Sequence, residues 1–163
     1  MKYDLTILPL SLVLVLFLSC SGPQRPSEMP KLYPVTATVT FDGGKPVADA
    51  VVRFRLTDPI LPRIWLHAGT TDTEGKAKLI TDGDFAGIPA GKYTVTIEKF
   101  EIEGPIPSTP PAGGVPRYQL VEDDYLDHAK TPLKDVEIKA GMKEISLSAG
   151  KEQRIYKPMR PAR

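Results

Sequence analysis

Apolar and polar residues alternate in several short runs along this chain, and each run predicts a half-buried β-strand. In residues 33–41, Val35, Ala37, Val39 and Phe41 share one face and threonines the other. In residues 47–56, Ala50, Val52, Phe54 and Leu56 face one way, and Val51, Arg53 and Arg55 the other. Residues 92–99 set Tyr93, Val95 and Ile97 inward against Thr94, Thr96 and Glu98. Runs at 133–139 (Val136, Ile138 inward) and 142–148 (Ile145, Leu147 inward) repeat the pattern near the end. Residues 64–71 and the neighbourhood of Ala77 and Leu79 complete a set of about seven strands. No stretch after the N-terminal apolar run sustains a 3.6-residue period.

Turn chemistry separates these runs. Asp42-Gly43-Gly44-Lys45-Pro46 and Asp72-Thr73-Glu74-Gly75 are turns in which glycine takes the positive φ and Asp bonds nearby amides. Asp82 to Gly87 reads as an irregular loop, and Gly141 parts the last two strands. Seventeen prolines and 13 glycines disfavour a helical bundle. The expectation is an all-β chain folded as a β-sandwich. One segment does not fit a compact sandwich. Residues 101–132 hold Pro105, Pro107, Pro110, Pro111, Pro116 and Pro132 and read as a long structureless insertion, of the kind that is usually functional or disordered.

The N-terminus carries different information. Lys2 precedes an apolar run at 5–18, shorter than the roughly 20 residues a spanning helix needs. This is the layout of an export signal. The run ends at Cys20, the one cysteine in the chain. Phe17-Leu18-Ser19-Cys20 resembles the lipobox of bacterial lipoprotein signals. Ser19 and Cys20 fit that pattern, whereas Phe17 and Leu18 depart from its usual leucine and small residue. The resemblance implies cleavage after residue 19 and acylation of Cys20 by chains such as palmitate. Each buried methylene then adds about 0.8 kcal/mol of membrane affinity. The alternative is an ordinary signal cut nearby. A lone cysteine forms no internal disulfide, so the core alone must hold the fold. The organisation expected is a signal at 1–19, a lipidated proline-rich tether at 20–32, a β-domain at 33–149 and a basic tail at 150–163.

A net charge of +1 gives no electrostatic basis for binding nucleic acid. Two histidines are too few for a three-histidine zinc site, and no Gly-x-Ser-x-Gly elbow is present. No catalytic residue, metal ligand set or cofactor is expected. The acidic clusters Glu122-Asp123-Asp124-Tyr125-Leu126-Asp127-His128 and Asp72, Glu74, Asp82 and Asp84 are read as solvated loops and turns, with cation binding as the alternative. Trp65 and His67 share a strand face with Gly69. Trp65 serves either as core filling, the favoured reading, or as a platform for a sugar ring. Tyr118 and Tyr125 are the other candidate platforms. Lys151, Arg154, Lys157, Arg160 and Arg163 recur every third residue, and Pro158 and Pro161 favour polyproline II, which would line the cations along one edge. Such a stripe suits an anionic polymer. The favoured reading is nonetheless a mobile solvated tail, or an extra edge strand at 154–156.

Three motifs occur in a fixed order: Val39 to Phe54 around Asp42-Gly43-Gly44-Lys45-Pro46, Gly69 to Ala77 around Asp72-Thr73-Glu74-Gly75, and Ile88-Pro89-Ala90-Gly91-Lys92-Tyr93-Thr94-Val95. Together they resemble the carboxypeptidase regulatory-like domain, and more closely small bacterial lipoproteins built from one such domain. The resemblance spans about residues 33–149. It implies a transthyretin-like (prealbumin-type) Greek-key sandwich. It does not imply catalysis, because the Tyr-Arg-Gly-Ser signature of the hydroxyisourate hydrolase branch and the zinc domain of carboxypeptidases are both missing. The function expected is a non-enzymatic, exported, lipid-anchored structural or interaction module of the cell envelope. Its partners would be the membrane, through Cys20, and an envelope protein or polysaccharide. A carbohydrate-binding module is the alternative. Mass spectrometry of the mature N-terminus should find an acylated Cys20, and a free α-amine on another residue would refute the anchor.

Overall fold

The computed structural model describes residues 24–58, 63–105, 115 and 117–157. Cys20, Arg160 and Arg163 lie outside the described residues, as do the signal at 1–19, Pro158 and Pro161. Among the described residues no helix is long and apolar enough to cross a membrane.

The fold is all-β, and each alternating run becomes a strand with its apolar side buried. β1 (Thr36–Thr40) buries Ala37 and Val39, and β2 (Val51–Leu56) buries Val52 and Phe54. β3 (His67–Thr70), β4 (Lys76–Lys78), β5 (Ile80–Thr81) and β6 (Phe85–Ala86) are short. β7 (Gly91–Glu98) is the longest and buries Tyr93, Val95 and Ile97 completely. β8 (Phe100–Ile102) and β9 (Arg117–Gln119) follow, then β10 (Val136–Ile138), β11 (Glu144–Ser148) and β12 (Ile155–Lys157).

Two sheets share one core. The larger runs β10-β7-β2-β3-β5-β6, and the smaller runs β11-β1-β4. Ala37, Val39 and Leu147 of the small sheet join Val52, Phe54, Tyr93, Val95, Ile97 and Ile138 of the large one in a single apolar cluster. The arrangement is sandwich-like. Burying each large aliphatic or aromatic side chain contributes about 1.5–3 kcal/mol. β1 pairs with β11 in parallel, from Thr36↔Glu144 to Thr40↔Ser148, which ties the start of the domain to its end.

The expected fourth strand divides between the sheets. β4 pairs with β1, β5 pairs with β3, and buried Leu79 makes the crossing, donating its amide to the Val35 carbonyl at 3.0 Å. About seven strands were expected, and the described residues form twelve. The five additions, β5, β6, β8, β9 and β12, have only two or three residues each, too short to show a period.

Three of these additions correct the reading of residues 101–132 and give the tail the edge strand that was one reading of it. Strands β12-β9-β8 form a third sheet. Leu120, Val121 and Tyr125 enter the main core, and a 3₁₀ turn covers Asp123–Leu126. Only 106–114 and 116 of the insertion lie outside the described residues. The tether expectation also changes at its end. Met29 is buried, and Arg25 donates to the Pro30 carbonyl at 2.7 Å.

The Asp72 turn shows why glycine closes it. Asp72 Oδ1 accepts from the amides of Glu74 and Lys76, both at 2.9 Å. Gly75 takes φ +76, and a Cβ there would meet the Val39 carbonyl oxygen. Gly75→Ala should therefore lower stability by at least about 3 kcal/mol, from strain plus displaced backbone. Gly141→Ala, at φ +81 with nothing within 4 Å of the added carbon, should cost about 1 kcal/mol. Urea midpoints compare the two, and equal losses would refute the close-approach argument.

Candidate functional site

The site forms where two strands of the large sheet part. β2 and β3 stay in register from Val51↔Thr70 to Phe54↔His67. Beyond that pair, Arg55 and Leu56 keep a strand neighbour only in β7. The segment before β3 turns instead toward Asp82, whose carboxylate accepts from the Leu66 amide at 2.9 Å. A pocket of about 390 Å³ opens in the gap. Arg53, Arg55, Leu56, Trp65, His67 and His128 are among its lining residues.

Burial alternates through the segment that walls it. Trp65 (7% exposed) and His67 (4%) turn in, while Ile64 (65%) and Leu66 (72%) turn out. Trp65 is buried, but instead of filling the sandwich core, the favoured reading, it walls the pocket. The Arg63 guanidinium lies 4.5 Å from the Trp65 ring centroid, a cation–π contact that covers one face of the ring. Arg63 also pairs with Asp82 at 2.7 Å.

His67 is held in one tautomer. The Thr81 hydroxyl donates its single hydrogen to the Gly87 carbonyl at 2.7 Å. Thr81 Oγ1 can then only accept, so His67 Nδ1, 2.9 Å away, carries the proton and Nε2 keeps its lone pair. Tyr93 packs edge-on against both Phe54 and His67 with centroids 5.7 Å apart, and its hydroxyl donates to the Pro89 carbonyl at 2.7 Å. Burial lowers the His67 pKa from its ordinary 6.5 to about 4, with nearby Asp82 pulling weakly the other way. Burial raises the Tyr93 phenol out of reach of ordinary titration. His128 is also shifted down, first by burial and then by the Arg55 charge, and its Nδ1 is buried without a hydrogen-bond partner among the described residues. Both imidazoles are therefore neutral at pH 7.

The other sequence candidates are engaged elsewhere. Tyr125 is 9% exposed, part of the core and packed on Gly150, so it offers no stacking face. Tyr118 donates to Glu103 at 2.8 Å, meets Tyr156 edge-on, and lies under the Arg154 guanidinium at 4.0 Å. Arg154 also faces Glu103 at 3.8 Å, and Lys157 pairs with Asp123 at 2.9 Å. Hydrogen bonds from Lys157 and Gln119 hold the Asp123 carboxyl below the usual range. In the tail the structure agrees with the edge-strand reading over the polyproline stripe for residues 155–157. Residues 155–157 are a strand paired with β9, and a strand's two-residue period sets Arg154 and Lys157 on opposite faces. Lys151 is exposed. Among the described residues no cluster of three His, Cys, Asp or Glu is poised to hold a metal.

Arg53, Arg55 and Arg63 were not singled out as site residues, and His128 was weighed only as part of a cation-binding cluster. The signal present in the sequence was Arg53 and Arg55 at a two-residue spacing on the solvent face of a strand. The acidic neighbours of His128 suggested a cation, whereas the fold of residues 101–132 brings it to the pocket. No family model, curated protein or solved structure matches the chain.

The histidine shift has a sign that can be measured. The folded value lies below 6.5, so the unfolded chain takes up the proton first. The His67 contribution is complete above pH 6.5, is lost as pH falls toward about 4, and levels off below that. His67→Gln should lose less stability across this window than the parent chain. Parallel urea-melt curves for the two proteins between those pH values would refute the assignment.

Proposed function

We propose that the chain is an exported, lipid-anchored, non-enzymatic interaction module of a bacterial cell envelope, folded as a transthyretin-like Greek-key sandwich. Three features support the reading. The apolar run ending at Cys20 has the layout of a lipoprotein signal. The three ordered motifs resemble carboxypeptidase regulatory-like domains. The third feature carries the interaction role: Ile64 and Leu66 are 65% and 72% exposed beside the pocket.

Two large aliphatic side chains left in water on one short segment suit a surface that another molecule covers. They flank a cationic pocket at the parted end of β2 and β3, which gives the partner both an apolar ridge and charge to read. The 101–132 segment is the weaker contact surface, since its described tyrosines are already engaged within the chain. A carbohydrate-binding role is the lesser reading, because Arg63 already covers a face of Trp65.

A photo-crosslinking residue at position 66, in cells, should give a discrete envelope adduct. The same residue at position 141, in the turn between β10 and β11, should give none. Equal yields at both positions would refute the 63–66 segment as the contact surface.

A further inference from the structure

The pocket between β2 and the 63–66 segment combines features that together define a ligand. Its walls are apolar on one side, with Leu56, Trp65 and Pro89. Three arginines line it, and two are already neutralised. Arg53 pairs with Glu98 at 2.6 Å, and Arg63 pairs with Asp82 at 2.7 Å. Arg55 has no ion-pair or hydrogen-bond partner among the described residues. With both histidines neutral, the lining keeps one uncompensated positive charge. Two polar atoms are also uncommitted among the described residues: the lone pair of His67 Nε2, left by the Thr81 bond, and the buried Nδ1 of His128.

We infer that this pocket binds a small monoanion with a compact apolar body, a carboxylate on an aromatic or alicyclic frame. The carboxylate sits on Arg55, whose planar fork matches it in two hydrogen bonds. The body lies against Leu56 and Trp65. The His67 lone pair accepts a hydroxyl or amide hydrogen from the ligand. A volume of about 390 Å³ holds a bicyclic acid and falls within the ~300–1,000 Å³ of small-molecule sites. It is too small for an oligosaccharide. A phosphate or sulfate alone would leave the apolar wall unused, and a neutral sugar would leave Arg55 unpaired.

The ligand site shares its pocket with the proposed contact surface but does not require it. It depends on the folded domain and not on Cys20 or on a partner at Leu66, so either reading can fail alone. The chain's one tryptophan stands in the pocket wall and reports occupancy directly. Naphthalene-2-carboxylate, titrated into the full chain, should change Trp65 emission saturably. Neutral naphthalene-2-carboxamide should bind about tenfold more weakly, equivalent to roughly 1.4 kcal/mol. Arg55→Gln should weaken the carboxylate about tenfold and leave the carboxamide unchanged, which a merely structural loss would not do. Lys151→Gln, remote from the pocket, should bind like the parent. No saturable response to the carboxylate, or equal affinity for acid and amide in the parent chain, would overturn the site. So would unchanged carboxylate affinity in Arg55→Gln.

Discussion

One constraint governs the structure: the apolar faces of two small sheets must cover each other without covalent help. The single cysteine lies before the domain, so no disulfide restrains the unfolded chain. Stability rests on Ala37, Val39 and Leu147 packing with Val52, Phe54, Tyr93, Val95 and Ile97. The parallel β1–β11 pairing brings the last strand of this core beside the first, so the sheets close only when most of the chain is in place. The exposed ion pairs add little by comparison, about 0–1 kcal/mol each.

The pocket follows from where that packing stops. A strand pair held by cross-strand contacts parts once one strand is drawn to another partner. Here Asp82 captures the Leu66 amide and Arg63, which pulls the 63–66 segment away from β2. The gap exposes Arg55 and Leu56 and leaves Trp65 and His67 as a wall. His67 can stay neutral in this partly dry place because Thr81 and Gly87 take its Nδ1 proton into a fixed bond chain. A protonated imidazole there would carry the desolvation penalty that lowers its pKa to about 4. Phe54 and His67 line the pocket, and Tyr93, tied at its hydroxyl to Pro89, backs them both edge-on.

The strands with five or more residues were legible in the sequence because a two-residue period needs several repeats to show. β1, β2, β7 and β11 bury the residues their alternation assigns, Leu56 and Ile145 only in part. The turn at Asp72 to Gly75 was legible for a local reason, the side-chain acceptor two and four residues before the amides it holds. The 101–132 segment was misread because proline content reports where a ladder is interrupted, and says nothing of short strands between the prolines. β8 and β9 have three residues each, and Leu120, Val121 and Tyr125 are buried by neighbours distant in sequence. The every-third-residue cations of the tail suggested a threefold helix. Strand pairing with β9 overrode that period for residues 155–157, because ladder hydrogen bonds outweigh a weak local preference.

The sequence by itself determined the all-β character, the inward faces of the longer strands and the turns between them. Those properties depend on residues within a few positions of one another. Tertiary structure alone decided the candidate site. Arg55 lies on β2, Trp65 precedes β3, and His128 follows the 3₁₀ turn. Only strand order and the capture of Leu66 by Asp82 bring them to one pocket, and no local pattern encodes a contact across 73 positions, the separation of Arg55 from His128.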